Sequence, residues 1–132
     1  MAKKFNFSVK VYYEDTDAGG VVYYANYLKF LERARSEAIY SLDYTNSSLL
    51  EKFGILLIVK SCNIEYKKPA KFEDKLEVFS EVKSFTKTSF LMKQSILRNN
   101  EIITDAEVHL VSVDKNGKPS KLPDELKEKL EN

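Results

Sequence analysis

A long helical pattern lies between one strand pattern and four further strand patterns, and this order most narrows the possible folds. Apolar residues recur at steps of three and four between Val22 and Leu42, at positions 27, 31, 34, 38 and 42. That spacing places them along one stripe of a helix, which Leu28, Phe30 and Ile39 widen. The helix spans roughly 25–30 Å at 1.5 Å per residue, which is enough to cross a whole sheet.

Strand patterns flank this helix on both sides. The odd positions from Phe5 to Tyr13 are apolar and alternate with polar residues, the period of a strand with one buried face. After the helix, a short helical segment near Ser47–Phe53 ends at Gly54. Four strand patterns then follow, separated by turn signals: Ile55–Tyr66, Lys75–Phe85, Ser89–Arg98 and Glu101–Val113.

The same alternation predicts which side chains of these strands face inward. Even positions are apolar in most of the later strands, for example Val78, Met92 and Ile102. Pro123 is suited to open a final short helix, DELKEKL. One charged residue interrupts the helical stripe: Arg35 projects into the apolar arc, where it either pairs with an acid or extends to solvent.

One strand, a long helix and four consecutive strands predict an α+β fold. Consecutive strands favour an antiparallel sheet, here of five strands, with the helix covering one face. A single helix cannot cover both faces of five long strands, so we expect the uncovered surface to meet another subunit. The 132 residues fit one domain, residues 1–132, which is large enough to bury a core without a disulfide or a metal.

Composition limits the cellular compartments and the binding partners that fit this protein. The net charge of +1 gives no overall attraction to nucleic acid or to an anionic membrane. The single cysteine, Cys62, cannot form an internal disulfide and fits a reducing compartment. The first residues lack the apolar run of a signal peptide, and no stretch has the length of a transmembrane helix. We therefore expect a cytoplasmic protein that binds no nucleic acid and does not span a membrane.

Several kinds of catalytic site lack the residues they need. His109 and Cys62 are each the only residue of their type, so they cannot form a zinc cluster. No GxSxG elbow, P-loop or dinucleotide-binding glycine motif occurs. On the strand pattern His109 shares a face with Asp105 and Glu107, which indicates a surface role. We expect neither a metal site nor a cofactor.

The densest cluster of chemically useful residues is YYEDTDAGGVVYYANY, residues 12–27. Asp17 lies in a glycine-containing loop before the helix start, where free backbone N–H groups carry about half a positive charge. A carboxylate there can attack, or activate water against, a carbonyl whose oxygen points at those donors. A thioester suits this site because its carbonyl is electrophilic and its thiolate leaves readily. Asp15 and Asp17 fit helix caps or turns as well, so the residues permit such a site without establishing it.

The segment YEDTDAGGVVYYANYLKFLERAR, residues 13–35, resembles the YbgC-type branch of the 4-hydroxybenzoyl-CoA thioesterase family. KKPAKFEDKLEV and SVDKNGKPSKLP are similar to later segments of the family, so the likeness covers essentially the whole domain. The resemblance implies a hotdog fold, in which a five-stranded antiparallel sheet wraps around one long helix. It also implies hydrolysis of acyl-CoA. In bacteria these proteins are often encoded with the Tol-Pal envelope system.

The resemblance also implies roles for residues of this motif. Asp17 is expected to be the catalytic carboxylate, as nucleophile or as general base. The backbone N–H around Tyr24 is expected to polarise the thioester carbonyl, and Tyr13 to position or hydrogen-bond near Asp17. Val22 and Asn26 are expected to contact the substrate. Two subunits are expected to pair edge to edge, with the active sites at their interface. Two such dimers often pack as a tetramer in the family, so either a homodimer or a homotetramer is expected.

Coenzyme A carries phosphates, which need cations near the mouth of the pocket. Lys67, Lys87 and Ser89 lie in segments similar to those with which the family binds the nucleotide end of CoA. Further candidates in these segments are Lys60, Lys68 and Lys71. A solvated face of a lysine-rich protein explains the same residues. Acyl carrier protein is an alternative carrier of the acyl group.

One position departs from the YbgC-type pattern. These enzymes commonly read YHANY where this chain reads YYANY, with Tyr24 in place of histidine, as in the 4-hydroxybenzoyl-CoA branch. Two other functions compete with hydrolysis. A hotdog dehydratase or hydratase needs a central histidine, and His109 lies too late in the chain. A non-catalytic acyl-CoA or acyl-carrier-protein binding module, or a scaffold of the envelope and lipid system, is favoured by the missing histidine and disfavoured by Asp17.

Overall fold

The computed structural model describes residues 3–132, and the elements of this part of the chain follow the predicted order. The strands are β1 Lys4–Lys10, β2 Leu56–Tyr66, β3 Lys75–Phe85, β4 Ser89–Arg98 and β5 Glu101–Val113. The helices are α1 Asn26–Ser41, α2 Asn46–Phe53 and α3 Asp124–Glu131, and a 3-10 turn spans Tyr13–Asp15. No helix within residues 3–132 is long and apolar enough to cross a membrane.

The five strands form one antiparallel sheet in the order β1-β3-β4-β5-β2. Alternate side chains of the central strands, such as Val78, Met92 and Val108, are buried on the face that α1 covers. Charged residues such as Lys93 and Glu107 lie between them on the outer face. The predicted α+β class and the hotdog arrangement of a sheet around one long helix are confirmed.

Two buried clusters divide the core along α1. The first contains Phe30 and Leu31 of the first half of the helix, packed with residues at the start of β3. The second contains Ile39 of the last half, packed with Leu126 and Leu130 of α3. We call the end of the sheet where β1 and β2 stop and β3 begins the site end, and the opposite end, closed by α2 and α3, the far end.

The helical stripe is confirmed apart from one residue. Its members at positions 27, 31, 34, 38 and 42 are all at most 5% exposed. Leu28 was expected to widen the stripe, but it is 46% exposed. Helical spacing puts Leu28 in one row with Glu32 and Arg35, and the latter two line a groove of about 180 Å³ beside β2. This side of α1 therefore lies along the groove beside β2 and does not pack on the inner face of the sheet.

The predicted inward face of β5 is wrong at one position, Ile102. Ile96 of β4 pairs with Thr104, whereas the next residue, Leu97, pairs with Ile102. Ile103 is thus the extra residue of a β-bulge, which reverses the alternation at that point. Ile103 is fully buried and Ile102 is 41% exposed.

The first strand and the long helix are shorter than their patterns. β1 ends at Lys10 instead of Tyr13, because Tyr13 begins the 3-10 turn. The helix begins at Asn26 instead of Val22, because Val21 and Val22 pair as isolated bridges with Lys71 and Thr16. The chain between Lys10 and Asn26 is therefore a folded loop and not an extension of either element.

Arg35 neither pairs with an acid of residues 3–132 nor extends freely into solvent. Its Nη1 donates to Gln94 Oε1 at 2.9 Å. Gln94 is fully buried, and its Nε2 donates to the Leu31 carbonyl at 3.0 Å and to Ser80 Oγ at 2.9 Å. Burial lowers the pKa of the Arg35 guanidinium. A neutral amide therefore anchors the charged side chain that interrupts the apolar stripe.

Strand β2 is the last strand of the sheet and differs from the others in burial. Most of its side chains are exposed, including Leu56, Ile58 and Val59 at 37%, 47% and 47%. Its outer edge has no strand beside it within residues 3–132. An apolar, unpaired edge of this length is a surface on which another strand can pair.

Candidate active site

The loop between β1 and α1 is closed by Asp15, which lies inside it and is 8% exposed. Its Oδ2 accepts from the Tyr12 backbone N–H at 2.9 Å. Its backbone carbonyl accepts from the Tyr23 N–H and from Asn26 Nδ2, both at 2.9 Å. Asp15 and Asn26 therefore tie the end of β1 to the first residue of α1 and set the shape of the loop.

Asp17 lies at the tip of this loop and is exposed. Its Oδ1 accepts from the Gly19 N–H at 2.8 Å, and its carbonyl accepts from the Gly20 N–H at 3.0 Å. A Cβ on Gly19 would come within 3.2 Å of Asp17 Oδ1, so this close approach favours glycine. No hydrogen-bond donor of residues 3–132 contacts Asp17 Oδ2, which leaves one carboxylate oxygen free for chemistry.

The start of α1 carries free hydrogen-bond donors. Tyr24 and Ala25 precede the helix, and no acceptor among the described residues binds their backbone N–H groups. No side chain caps the helix, and its first turn contains no acidic residue. The N–H groups of Asn26, Tyr27 and Leu28 bond to carbonyls three residues back, so the free donors of this positively polarised helix end are those of Tyr24 and Ala25.

Tyrosines surround the loop and remain accessible. The exposed fractions of Tyr12, Tyr13, Tyr23 and Tyr24 are 60%, 78%, 46% and 63%. The Tyr13 ring stacks on Phe72 with 4.1 Å between the ring centroids. Such a set of large exposed aromatics indicates a surface that another molecule covers.

The β2–β3 loop is hydrogen-bonded to the residues around the helix start. The Val22 N–H donates to the Ala70 carbonyl at 2.8 Å, and the Ala70 N–H donates to Tyr27 Oη at 2.9 Å. Tyr27 is 3% exposed, and burial raises the pKa of its phenol. Arg98 anchors the same loop through the Pro69 carbonyl at 2.9 Å and Asp74 Oδ2 at 2.7 Å. The two loops therefore form one unit at the site end.

Six of the eight residues predicted for the site lie at the site end. Asp17, Tyr13 and Tyr24 are exposed there. Val22 and Asn26 are there too, but their side chains are buried at 4% and 8% exposure. Lys67 follows β2, and its ammonium lies 4.0 Å from Asp105 Oδ2.

Lys87 and Ser89 are not part of this group. Lys87 is exposed in the turn between β3 and β4, and Ser89 is buried beside it, with its Oγ 2.6 Å from Thr86 Oγ1. This turn belongs to the far end, one length of β3 away from Asp17. A strand of 11 residues spans about 35 Å, so one protomer does not bring Lys87 and Asp17 together.

Sequence analysis did not single out two residues that contribute to the helix start, Tyr66 of β2 and Ala25. Tyr66 donates its hydroxyl proton to the Tyr24 carbonyl at 3.1 Å, and Ala25 contributes a free N–H. The strand pattern indicated that Tyr66 ends β2, but contact with the helix start depends on the sheet order. Residues 3–132 contain no cluster of His, Cys, Asp or Glu that could hold a metal ion. The site end therefore offers one free carboxylate oxygen, on Asp17, and two free backbone donors at the start of α1.

Known proteins resemble this chain in sequence and in structure. A model of the thioesterase-like superfamily matches residues 11–130. The chain belongs to this superfamily. Acyl-CoA thioesterase YbgC of Haemophilus influenzae is 44% identical over 124 residues, which cover 93% of this chain and 91% of that protein. The predicted resemblance to the YbgC-type branch is thereby confirmed.

Two solved structures superpose on this chain and support the fold. A probable thioesterase from Bartonella henselae superposes with a TM-score of 0.87 at 31% identity, covering 92% of this chain and all of that one (100%). A mutant 4-hydroxybenzoyl-CoA thioesterase complexed with 4-hydroxybenzoyl-CoA gives a TM-score of 0.92 at 19% identity, covering 98% and 99% of the two chains. The second likeness bears on the fold alone.

Proposed function

We propose that this protein hydrolyses acyl-CoA thioesters to the free acid and CoA, with Asp17 as the reacting carboxylate. The observation that carries the proposal is the pairing, at the same end of the sheet, of a free carboxylate oxygen and two free backbone N–H groups that precede a helix. This pairing occurs in a chain that is 44% identical to a protein named acyl-CoA thioesterase. The domain that performs the reaction is the single hotdog domain of residues 1–132.

In the proposed reaction, the thioester carbonyl oxygen accepts from the free N–H groups around Tyr24. Asp17 Oδ2 then either attacks the carbonyl carbon or takes a proton from water that attacks it. The C–S bond breaks and its electron pair leaves with sulfur. The thiolate becomes CoA by taking the proton from Asp17 in the general-base route, or a proton from water in the nucleophilic route. If a mixed anhydride forms, water hydrolyses it and returns the carboxylate. Each oxyanion donor contributes on the order of 10²–10³ in rate.

The far-end position of Lys87 and Ser89 supports a dimer as the active form. Two copies that pair antiparallel along the free edge of β2 run in opposite directions. The far end of one copy then lies beside the site end of the other. Lys87 and Ser89 of the second copy would thus approach Asp17, joining Lys67, which is already there. We propose that Lys67 and Lys87 bind the phosphates of CoA or, alternatively, an acyl carrier protein, and that Ser89, whose side chain is buried, contributes through the turn that it holds.

The remaining expectations extend this proposal. Val22 and Asn26 act near the substrate through the backbone they hold in place, because their side chains are buried. Tyr13 lines the entrance beside Asp17. We further propose a homodimer or a homotetramer of two dimers, a cytoplasmic location and a link to the Tol-Pal system, as in the branch that the sequence resembles.

A thiol-release assay tests the proposal directly. Purified protein is given acetyl-, hexanoyl-, palmitoyl- and benzoyl-CoA, and free thiol is followed with a colorimetric reagent. Asp17→Asn keeps an oxygen acceptor for the Gly19 N–H but removes the charge, so kcat is expected to fall about 10³-fold or more. Glu14→Gln removes a neighbouring exposed carboxylate and is the matched control, with kcat unchanged.

The same assay separates the second candidate function. Tyr24 in place of the common histidine favours a non-catalytic protein that binds acyl-CoA or acyl carrier protein. A folded protein that releases thiol from none of the four substrates would reject hydrolysis. Saturable binding of hexanoyl-CoA by that same sample would then support the binding module.

A further inference from the structure

Tyr66 connects the free edge strand to the start of α1. It is the last residue of β2 and pairs with Thr104 of β5, which is buried on the inner face of the sheet. Directly paired residues of antiparallel strands point to the same face, so the Tyr66 side chain points toward α1. Its hydroxyl reaches across and donates to the Tyr24 carbonyl at 3.1 Å.

The Tyr66 ring is held by a second, buried tyrosine. The rings of Tyr66 and Tyr27 meet edge to face, with 5.2 Å between centroids and 61° between planes. Tyr27 is in turn fixed by its hydrogen bond from the Ala70 N–H. The Tyr66 hydroxyl therefore approaches the helix start from a defined direction, although the side chain is partly exposed.

A hydrogen bond to the Tyr24 carbonyl also constrains the next amide. The Tyr24 carbonyl and the Ala25 N–H belong to one planar trans peptide, in which C=O and N–H point in opposite directions. The carbonyl accepts from the Tyr66 hydroxyl and, at 3.4 Å, from the Tyr27 N–H, so these two bonds together set the direction of the Ala25 N–H. That N–H is one of the two donors without an acceptor in the described part of the chain. A hydrogen bond on the carbonyl also polarises the peptide and strengthens its N–H as a donor.

We propose that Tyr66 is a positioning residue for the thioester reaction and that the Ala25 N–H is a second oxyanion donor beside the Tyr24 N–H. The inference rests on the proposed acyl-CoA hydrolysis. Tyr66 acts through the peptide between Tyr24 and Ala25 and does not touch the thioester. Its hydroxyl keeps that peptide turned so that the Ala25 N–H faces the carbonyl oxygen when charge develops there.

The expected effect lies below that of deleting a donor. Loss of one oxyanion donor costs on the order of 10²–10³ in rate, whereas loosening one leaves part of its contribution. Tyr66→Phe removes the hydroxyl but keeps the ring against Tyr27. We expect kcat to fall about 10-fold with KM nearly unchanged, because the Ala25 N–H contributes mainly in the transition state.

The experiment compares Tyr66→Phe with Tyr40→Phe in the hexanoyl-CoA thiol-release assay. Tyr40 is an exposed tyrosine of α1 whose hydroxyl has no hydrogen-bond partner within residues 3–132, so its variant should match the wild type. Binding of S-hexyl-CoA, a thioether without a carbonyl oxygen, is measured in parallel and should not change. The Ala25 amide resonance should shift in Tyr66→Phe and stay in place in Tyr40→Phe.

Each outcome bears on the proposal. If the wild type is active, a kcat of Tyr66→Phe within twofold of the wild-type value overturns the proposal. A loss of thioether binding that matches the loss of kcat also overturns it, because Tyr66 would then only support the pocket. An unshifted Ala25 amide rejects the peptide as the link. An inactive wild type rejects acyl-CoA hydrolysis itself, and the catalytic role of Tyr66 with it.

Discussion

The two ends of the sheet are built in opposite ways. The far end is closed: Leu122, Leu126 and Leu130 are at most 2% exposed and join the C-terminal half of α1 in one core cluster. At the site end, tyrosines stand in solvent and backbone donors remain free. This end has a buried cluster of its own, and hydrogen bonds between two loops shape the surface above it. The contrast indicates that the far end serves folding alone whereas the site end also carries the reacting groups, so we expect mutations at the two ends to change stability and activity separately.

The largest separation is expected from Leu126→Ala at the far end. Leu126 is fully buried, so its truncation should lower the free energy of unfolding by about 2–5 kcal/mol. At a temperature where the variant stays folded, its kcat should equal that of the wild type. Urea denaturation and thiol release measure the two quantities. Leu50→Ala, a control in α2 that is 39% exposed, should change stability by less than about 1 kcal/mol. A loss of kcat in fully folded Leu126→Ala would contradict the division.

A smaller effect, on kcat instead of stability, is expected from Gly19→Ala at the site end. The new Cβ would lie 3.2 Å from Asp17 Oδ1, so the carboxylate must move by a few tenths of an ångström. Since a misplacement of 1 Å costs on the order of 10² in rate, we expect kcat to fall about 3- to 10-fold with the melting temperature little changed.

Gly117→Ala is the control for Gly19→Ala. Gly117 has φ of 81° and open space around it, so alanine there strains the backbone in a turn away from Asp17. It should cost about 1 kcal/mol of stability and leave kcat intact. Equal kcat values for Gly19→Ala and the wild type would show that the carboxylate tolerates displacement.

The smallest effect concerns Tyr44, which closes the far end. It is 5% exposed and donates a hydrogen bond to Glu125. Burial, and then the Glu125 carboxylate, raise the pKa of Tyr44 from 10.0 to about 12. The neutral phenol thus adds stability that is complete below pH 10 and is lost as the pH rises toward about 12.

Melting temperatures between pH 8 and 12 test this titration. The difference between the wild type and Tyr44→Phe should shrink above pH 10, and the kcat values measured at pH 8 should coincide. Tyr40→Phe, which removes an exposed hydroxyl, should follow the wild type throughout. A constant difference across this range would mean that Tyr44 does not titrate as its surroundings require.

Local patterns predicted the strands well. β3, β4 and β5 begin and end at the predicted residues, because alternation and turn residues are both encoded in neighbouring positions. The misplaced Ile102 depends on pairing with β4, since only the partner strand shows that Ile103 is an extra residue. Leu28 was misplaced because helical spacing does not reveal that the sheet ends at β2 beside it.

For the candidate site too, the residues that local patterns predicted differ from those that depend on strand order. Asp17, Tyr13 and Tyr24 came from one contiguous motif, and the structure groups them without testing their roles. The far-end position of Lys87 and Ser89 follows from strand order, which no single motif contains. Tyr66 was missed for the same reason, because β2 and the start of α1 are distant in the chain and meet only in the folded sheet.

Strand β2 has one edge that no other strand of residues 3–132 pairs with, and its last residue donates a hydrogen bond to the Tyr24 carbonyl. A strand that pairs with this edge would restrict the motion of Tyr66 as well as bury Ile58 and Val59. If a second copy pairs there, specific activity becomes a function of protein concentration, falling on dilution as edges separate. Assembly would then act as a rate control encoded in a single strand, which requires neither an effector nor a separate regulatory domain.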